Sequence, residues 1–219
     1  MRTEIYMQTA RIGQATASPQ RLRTLNLLAQ RPHTVGELAD RLGESKASTS
    51  AHLKVLRAAC LVVDERRGRE VWCRLGSDDV AALLVSLRSL AEALLPELRD
   101  VIREADEDPD ALTGVSLRQL ARDVKSGRVR LLDLRPTDEF TFGHLPGSES
   151  TPTDTLTPKR LRELLAEVGD QEVVAYCRGP WCVMAREGVS RLRKAGINAK
   201  RLPAGVTEWR AQNMKLSIA

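Results

Sequence analysis

The sequence predicts two domains of different fold class: a mainly helical N-terminal domain with a β-hairpin, and a C-terminal α/β domain with a parallel sheet. The chain has 219 residues, whereas a single domain typically has roughly 100–200. An acidic, proline-containing segment over 105–114 interrupts it, and the pattern changes there from amphipathic helices to alternating strands and helices. We therefore place the N-terminal domain at 1–104, a linker at 105–114 and the C-terminal domain at 115–219.

Composition indicates a folded protein of the cytoplasm. Hydrophobic residues make up 42% and charged residues 29% of the chain, which allows a buried core. No apolar run approaches the ~18–20 residues that span a bilayer, and the first residues lack the apolar stretch of a signal peptide. We expect no membrane partner. Four cysteines are too few for a disulfide scaffold, so they should be buried, metal-binding or reactive.

Charge is distributed unevenly along the chain. Residues 1–77 carry 13 Lys and Arg against 7 Asp and Glu, residues 78–110 carry 3 against 10, and residues 111–219 carry 18 against 12. The net charge of +5 thus hides an acidic middle between two basic regions. A basic N-terminal region suggests a nucleic-acid partner.

The N-terminal domain begins with short helices. A helix over 19–30 places its leucines on one face. Thr34 and Glu37 have the spacing of a capping box, which predicts a short helix that stops at Gly43. A long apolar helix over 78–104 closes the domain, and its proline should kink or interrupt it.

The segment between these helices predicts a DNA-reading unit. A helix over 46–59 should bury Ala51, Val55 and Leu56 or their neighbours. Strands over 61–65 and 70–75 then flank a turn with three arginines. Two short helices joined by a tight turn and followed by such a hairpin are the parts of a winged helix-turn-helix.

We expect this unit to bind a double-stranded DNA operator. Polar side chains at the start of the second helix should meet base edges and phosphates, and the hairpin arginines should contact the backbone or minor groove. The predicted DNA-binding residues are Lys46, Ser48, Thr49, Ser50, His52, Arg66, Arg67 and Arg69.

The stretch TVGELADRLGESKASTSAHLKVLRAACLVVDERRGREVWCRL over 34–75 resembles the ArsR-type winged-helix repressors. The resemblance covers about residues 15–100. It implies a homodimer held by the first and last helices of the domain. Metal-sensing members carry a Cys-x-Cys site in the first helix of the reading motif; residues 35–40 contain no cysteine, so no metal site is predicted.

Two cysteines stand at positions where the ArsR pattern has other residues. Cys60 replaces a glycine after the recognition helix, and Cys73 replaces an aromatic residue of the hairpin. A hairpin centred near Arg67 and Gly68 would make the two cysteines diagonal neighbours, roughly 7–8 Å apart in their backbones. That distance is marginal for a disulfide. A thiol sensor formed by Cys60 and Cys73 is one alternative function.

The C-terminal domain alternates strands and helices. Strands over 129–134 and 172–176 should be buried in a parallel sheet, between helices over 117–125, 159–168 and 183–195. Domains of this kind keep their chemistry at the carboxyl ends of the strands.

Cys177 stands at such a strand end. The loop that follows, Gly179, Pro180, Trp181 and Cys182, leads into a helix. Backbone amides, the helix dipole and the adjacent Arg178 should stabilise the Cys177 thiolate and make it a nucleophile. Cys177 and Arg178 are the predicted catalytic residues.

Two further segments carry a resemblance to the rhodanese family. Residues 132–147, LDLRPTDEFTFGHLPG, resemble the signature D-x-R-x-x-x-E-[YF]-x-x-G-H-I-x-G-A, and residues 202–209 resemble the family's glycine- and tryptophan-containing ending. The resemblance implies sulfur transfer through a Cys177 persulfide, with a sulfur donor or acceptor thiol as partner and no cofactor. It implies a supporting polar network of Asp133, Arg135, Glu139 and His144.

The loop departs from the rhodanese pattern C-R-x-G-x-R at two positions. Pro180 replaces the glycine and Cys182 replaces the arginine, which weakens the case for thiosulfate as donor. Valine at position 183 rules out the C-x5-R loop of the related phosphatases. Cys182 either resolves a Cys177 persulfide to a disulfide or caps the helix and packs. Metalloid binding by the two thiols stays open.

The function predicted is that of a dimeric transcriptional regulator whose rhodanese-like domain senses or transfers sulfur through Cys177. One alternative is a sulfurtransferase whose DNA-binding domain only sets its location. The other is the sensor formed by Cys60 and Cys73.

Overall fold

The computed structural model describes residues 2–105, Asp108 and 111–219. The chain divides after Ser86 into two compact units, a division that falls within a helix and not in the predicted linker. Four residues of that linker, Asp106, Glu107, Pro109 and Asp110, lie outside the described residues. The domain bounds 1–104, 105–114 and 115–219 stay predictions.

The first unit is a winged helix-turn-helix, as predicted. Its elements are α1 (Thr3–Thr16), α2 (Pro19–Gln30), β1 (His33–Thr34), α3 (Val35–Leu42), α4 (Lys46–Ala58), β2 (Val62–Arg67), β3 (Glu70–Leu75) and α5 (Asp78–Leu94), which continues into the second unit. The strands form an antiparallel sheet in the order β1-β3-β2. Leucines of α2, α3 and α4 fill the core.

Local hydrogen bonds explain where the reading helices begin and end. Thr34 Oγ1 accepts from the Glu37 amide at 3.3 Å, and the Glu37 carboxylate accepts from the Thr34 amide at 2.8 Å, which completes the predicted capping box. Gly43 ends α3 with a φ of 69°, the left-handed conformation that glycine adopts without strain. The Ser45 hydroxyl caps α4.

Two features of the first unit differ from the prediction. The sequence analysis gave no element for α1. Within α4, Leu53 and Leu56 are buried while Ala51 and Val55 are exposed. Leu53 and Leu56 are three positions apart, which places them on one face of the helix. The buried face of α4 is therefore rotated about the helix axis relative to the predicted one. Proline at 96 interrupts the long helix as predicted, because α5 ends at Leu94.

The second unit holds the α/β domain. After the end of α5 come α6 (Pro96–Ala105), α7 (Leu117–Lys125), β4 (Val129–Asp133), α8 (Thr137–Phe142), β5 (Ser148–Ser150), α9 (Pro158–Val168), β6 (Glu172–Cys177), α10 (Val183–Lys194), β7 (Ala199–Gly205) and α11 (Val206–Ala211). The sheet is parallel, in the order β5-β4-β6-β7. Leucines and valines of its strands pack against α9 and α10 in one core cluster, and against α7 and α11 in another.

Candidate functional site

The loop from Cys177 to Cys182 joins β6 to α10 and brings both cysteines together. Cys177 is the last residue of β6, and Cys182 is the N-cap of α10. The two sulfur atoms are 2.7 Å apart and share a hydrogen bond. Cys177 is fully buried, whereas Cys182 is half-buried. We call these two residues the dithiol pair.

Within the dithiol pair, the pKa of Cys182 is lowered and that of Cys177 is raised. The hydrogen bond from Cys177, helped by the backbone amides of Arg178, Met184 and Ala185, lowers the pKa of Cys182 to about 6 against the opposing effect of burial. The same hydrogen bond and burial raise the pKa of Cys177 far above its usual range. The raised pKa of Cys177 differs from the thiolate expected there, because the hydrogen bond with Cys182 and burial both disfavour its charged form.

The guanidinium of Arg178 is paired with a buried carboxylate. Its Nε donates to both carboxylate oxygens of Glu139 at 3.0 Å, and Glu139 is fully buried. Hydrogen bonding and charge from Glu139 raise the pKa of Arg178 against burial, which lowers it. The pair anchors the loop to α8, while the Arg178 amide still donates to the thiols.

The predicted supporting network divides into separate groups. Asp133 and Arg135 form a fully buried ion pair, and Tyr176, which the sequence analysis missed, donates to Asp133 Oδ2 at 2.6 Å. Burial and the Asp133 charge raise the pKa of Tyr176, so it stays a donor. His144 lies apart from this group: its ring stacks on Phe140 at 3.8 Å, and its Nδ1 lies 3.0 Å from the Phe140 carbonyl oxygen.

An apolar cavity of about 230 Å³ lies beside Cys182. Leu98, Val101 and Ile102 of α6 form part of its wall. The remaining lining comes from the loop and α10: Trp181, Cys182, Val183 and Arg186. The half-buried thiolate thus faces a cavity of small-molecule size.

A side chain of α5 contacts the loop of the dithiol pair. Arg88 donates to Glu208 Oε1 at 2.6 Å, and its guanidinium lies 5.5 Å from the Trp181 ring centre. Glu208 also accepts from the Gly205 amide at 2.6 Å. The Glu208 carboxylate lies close to the loop as well, since a Cβ added to Gly179 would be 3.5 Å from it. The sequence analysis missed Arg88; the available clue was that it is the one basic residue of α5.

Most of the predicted DNA-binding residues lie at the surface. Lys46 and Ser50 on α4 and the hairpin arginines are exposed. Ser48 and His52 are half-buried, and both approach Glu44, at 3.1 and 3.6 Å. Among the wing arginines, Arg67 pairs with Glu65 and stacks over Trp72, and Arg66 and Arg69 flank the turn at Gly68.

Thr49, one of the predicted DNA-binding residues, lies inside the winged unit and not at its surface. It is fully buried, and its hydroxyl has no hydrogen-bond partner among the described residues. Because Thr49 shares the inward face of α4 with Leu53, it cannot reach a base edge.

Cys60 and Cys73 are not neighbours on a strand. The register of the hairpin places Asp64 opposite Cys73, and Cys60 precedes β2 with a φ of 56°. Cys73 is buried, and burial raises its pKa to about 11. The predicted diagonal pair is wrong because Cys60 occupies a left-handed turn before the strand begins, which is the conformation suited to the glycine it replaces.

Two features are absent from the described ranges. No helix there is long and apolar enough to cross a membrane. No group of three His, Cys, Asp or Glu side chains in the same ranges is placed to hold a metal ion.

The winged helix-turn-helix, together with the cysteine loop at the carboxyl end of a parallel strand, defines a DNA-binding regulator with a rhodanese-like domain. Residues 18–63 match the model of the bacterial regulatory protein arsR family, and residues 116–212 match the rhodanese-like domain. The HTH-type transcriptional regulator Rv0324 of Mycobacterium tuberculosis is 38% identical over 204 residues, 93% of this chain and 87% of the relative. The chain belongs to the ArsR family of transcriptional regulators and carries a rhodanese-like domain.

Further similarities concern the N-terminal part. The regulator NmtR of Mycobacterium tuberculosis is 40% identical over 77 residues, 35% of this chain and 64% of that protein. The homodimeric winged helix-turn-helix domain of Mb0332 from Mycobacterium bovis is 33% identical, covers 43% of this chain and 88% of that structure, and has a TM-score of 0.41. Rv0081 of Mycobacterium tuberculosis is 31% identical, covers 43% of this chain and 96% of that structure, and also has a TM-score of 0.41.

Proposed function

We propose that this DNA-binding regulator responds to sulfane sulfur through the dithiol pair. The observation that carries the proposal is the 2.7 Å contact between Cys177 and Cys182, on a loop whose amides hold one sulfur as a thiolate. A thiolate beside a second thiol accepts sulfur and can pass to a disulfide. The rhodanese signature supports the same chemistry, because it designates Cys177 as a persulfide carrier.

Contacts of α5 support a link between this chemistry and DNA binding. The helix begins at Asp78 in the winged unit, and Arg88, nearly three turns further, contacts Glu208 and Trp181 beside the dithiol pair. A change in the loop alters the surroundings of Arg88. Regulation requires that the two sulfur states differ in DNA affinity, which is a coupling free energy between two sites.

The proposed DNA-reading surface comprises the exposed residues of α4 and the wing. It retains Lys46, Ser48, Ser50, His52, Arg66, Arg67 and Arg69, without Thr49. Backbone contacts from the arginines supply affinity, and the α4 side chains supply base contacts.

We propose that the functional form is a homodimer. Ile5, Tyr6 and Met7 of α1 are at least half exposed, as are Leu90 and Leu94 of α5. Large apolar side chains exposed on each of these helices suit surfaces that are covered in an oligomer. Sedimentation at micromolar concentration tests this: a Tyr6→Glu, Leu90→Glu variant should be monomeric, and a dimeric variant would contradict the proposed interface.

The function is tested by the affinity for DNA from upstream of the protein's own gene, measured by fluorescence anisotropy before and after treatment with an alkyl persulfide. We expect at least a tenfold shift, about 1.4 kcal/mol, in the unmodified chain and in Cys60→Ser. The Cys177→Ser, Cys182→Ser double variant should show none. Equal affinity in all samples, with sulfur still bound and rapidly passed to an acceptor thiol, would instead identify a sulfurtransferase whose DNA-binding domain sets only its location.

A further inference from the structure

The two thiols of the dithiol pair differ in access. Cys182 lines the apolar cavity of about 230 Å³ formed with α6, whereas Cys177 is fully buried. A donor molecule in the cavity therefore meets the sulfur of Cys182 first. Cys177 lies behind it, with its sulfur 2.7 Å away.

The two thiols also differ in pKa: the accessible Cys182 has the lower pKa and the buried Cys177 the higher one. Cys182 is the N-cap residue of α10, and its pKa is lowered by the hydrogen bond with Cys177 and by the amides of Met184 and Ala185. Cys177 keeps the proton, because its pKa is raised by the hydrogen bond to Cys182 and by burial. The accessible sulfur is thus the nucleophilic one.

We propose that Cys182 takes the sulfur atom from the donor, and that Cys177 then closes a disulfide with it. These roles are the reverse of those that the rhodanese signature implies. The proposal rests on the proposed function, because it assumes that the dithiol pair handles sulfane sulfur.

Both steps balance without a further oxidant. The Cys182 thiolate attacks the terminal sulfur of an organic persulfide, R–S–SH; a bond forms to Cys182, the donor S–S bond breaks, and R–S⁻ leaves. The Cys177 thiol then attacks Cys182 Sγ, the bond to the outer sulfur breaks, and that sulfur leaves as hydrogen sulfide with both protons. Two thiols are oxidised to one disulfide, and the transferred sulfur atom is reduced.

The cavity favours an organic donor of low charge. Its walls include Leu98, Val101 and Ile102, and Arg186 is the cation among the lining residues. Arg178, the cation of the loop itself, is ion-paired with Glu139. Moving the thiosulfate dianion into such surroundings leaves at least one of its two charges unmatched by Arg186, whereas an alkyl persulfide carries at most one negative charge.

The experiment uses the full chain with Cys60→Ser as reference, so that the exposed cysteine outside the site does not react. The protein is exposed to an alkyl persulfide, quenched by alkylation at successive times and analysed by peptide mass spectrometry. The reference should pass through an early species with an extra sulfur on Cys182, become two hydrogens lighter and release hydrogen sulfide. Thiosulfate at equal concentration should load it at least about tenfold more slowly.

Single variants assign the roles. Cys177→Ser should retain the extra sulfur on Cys182, and Cys182→Ser should load Cys177 at least about tenfold more slowly than the reference. Sulfur that appears first on Cys177 in the reference, or a Cys182→Ser variant that loads at the reference rate, would overturn the assignment and leave the proposed function intact. Sulfur on neither residue would overturn both. Because the early species is read in the reference itself, the result does not depend on how well either variant folds.

Discussion

At the residue scale, the hydrogen bond between the two thiols has the largest effect on the ionisation of Cys182. Backbone amides at the first turn of α10 and the Cys177 hydrogen bond outweigh the burial of the sulfur. A thiol whose pKa is lowered to about 6 is protonated below that pH and reactive above it, so it is nucleophilic at neutral pH.

Replacing Cys177 by alanine should raise the pKa of Cys182 towards its ordinary value, because the largest lowering cause is the hydrogen bond from Cys177. The measurement is the rate of alkylation by iodoacetamide against pH, in a Cys60→Ser background. The background protein should reach half its maximal rate at about pH 6, and the Cys177→Ala protein at a higher pH. An unchanged midpoint would show that the amides alone stabilise the thiolate.

Cys60 stores backbone strain at a position suited to glycine. Its φ is 56°, a region that costs an L-residue roughly 1–2 kcal/mol, against about 0.5–1 kcal/mol for the greater freedom of glycine when unfolded. Cys60→Gly should therefore stabilise the first unit by about 0.5–1 kcal/mol, measured by hydrogen exchange of the Leu53 amide. Cys60→Ala is the matched control and should give no gain; an equal gain in both would contradict the strain argument.

At the element scale, the wing and α4 have separate tasks in DNA binding. Arg66 and Arg69 are exposed at the tip of the hairpin, so phosphate contacts from them are independent of base sequence. Arg66→Ala and Arg69→Ala should each weaken binding to all sequences alike and reduce the salt dependence of the affinity by about one unit. Anisotropy titrations over a range of salt concentrations measure both quantities.

Thr49→Val is the control for that experiment. The buried hydroxyl of Thr49 has no hydrogen-bond partner among the described residues, so replacing it by a methyl group should leave DNA affinity unchanged and slightly favour the fold. A loss of DNA affinity on the scale of the arginine variants would restore Thr49 to the DNA-reading surface.

Elements with strong local determinants could be predicted from the sequence. The capping box at Thr34 and Glu37 and the proline after α5 act within one turn, and the predicted helix over 117–125 has the observed bounds. The face of α4 could not be predicted, because it depends on which residues pack against the leucines of α2 and α3. The position of Cys60 depends on where β2 begins, and a shift of register there separates it from Cys73.

The site was predictable in its residues and less so in its chemistry. The order of cysteine, loop and helix identified the dithiol pair, and the rhodanese signature identified Glu139 and Asp133. Which cysteine ionises depends on the three-dimensional positions of the backbone amides, which spacing alone does not give.

At the scale of the whole molecule, one helix belongs to both compact units. The chain divides after Ser86, but α5 continues to Leu94. Through Arg88 it contacts the residues that surround the dithiol pair, Glu208 and Trp181. A regulator that converts sulfur chemistry into a change of DNA affinity needs a connection of this kind, with different contacts in its two states.

The most direct test of that connection is the DNA affinity of Arg88→Ala before and after treatment with an alkyl persulfide, with Arg99→Ala as a control of equal charge change at an exposed position of α6. Mass spectrometry in parallel establishes that both variants take up sulfur. We predict that Arg99→Ala keeps the tenfold shift of about 1.4 kcal/mol, and that Arg88→Ala loads sulfur but binds DNA equally in both states. A full shift in Arg88→Ala would contradict the account, because the sulfur state would then reach the DNA-binding unit without the contact between α5 and the loop.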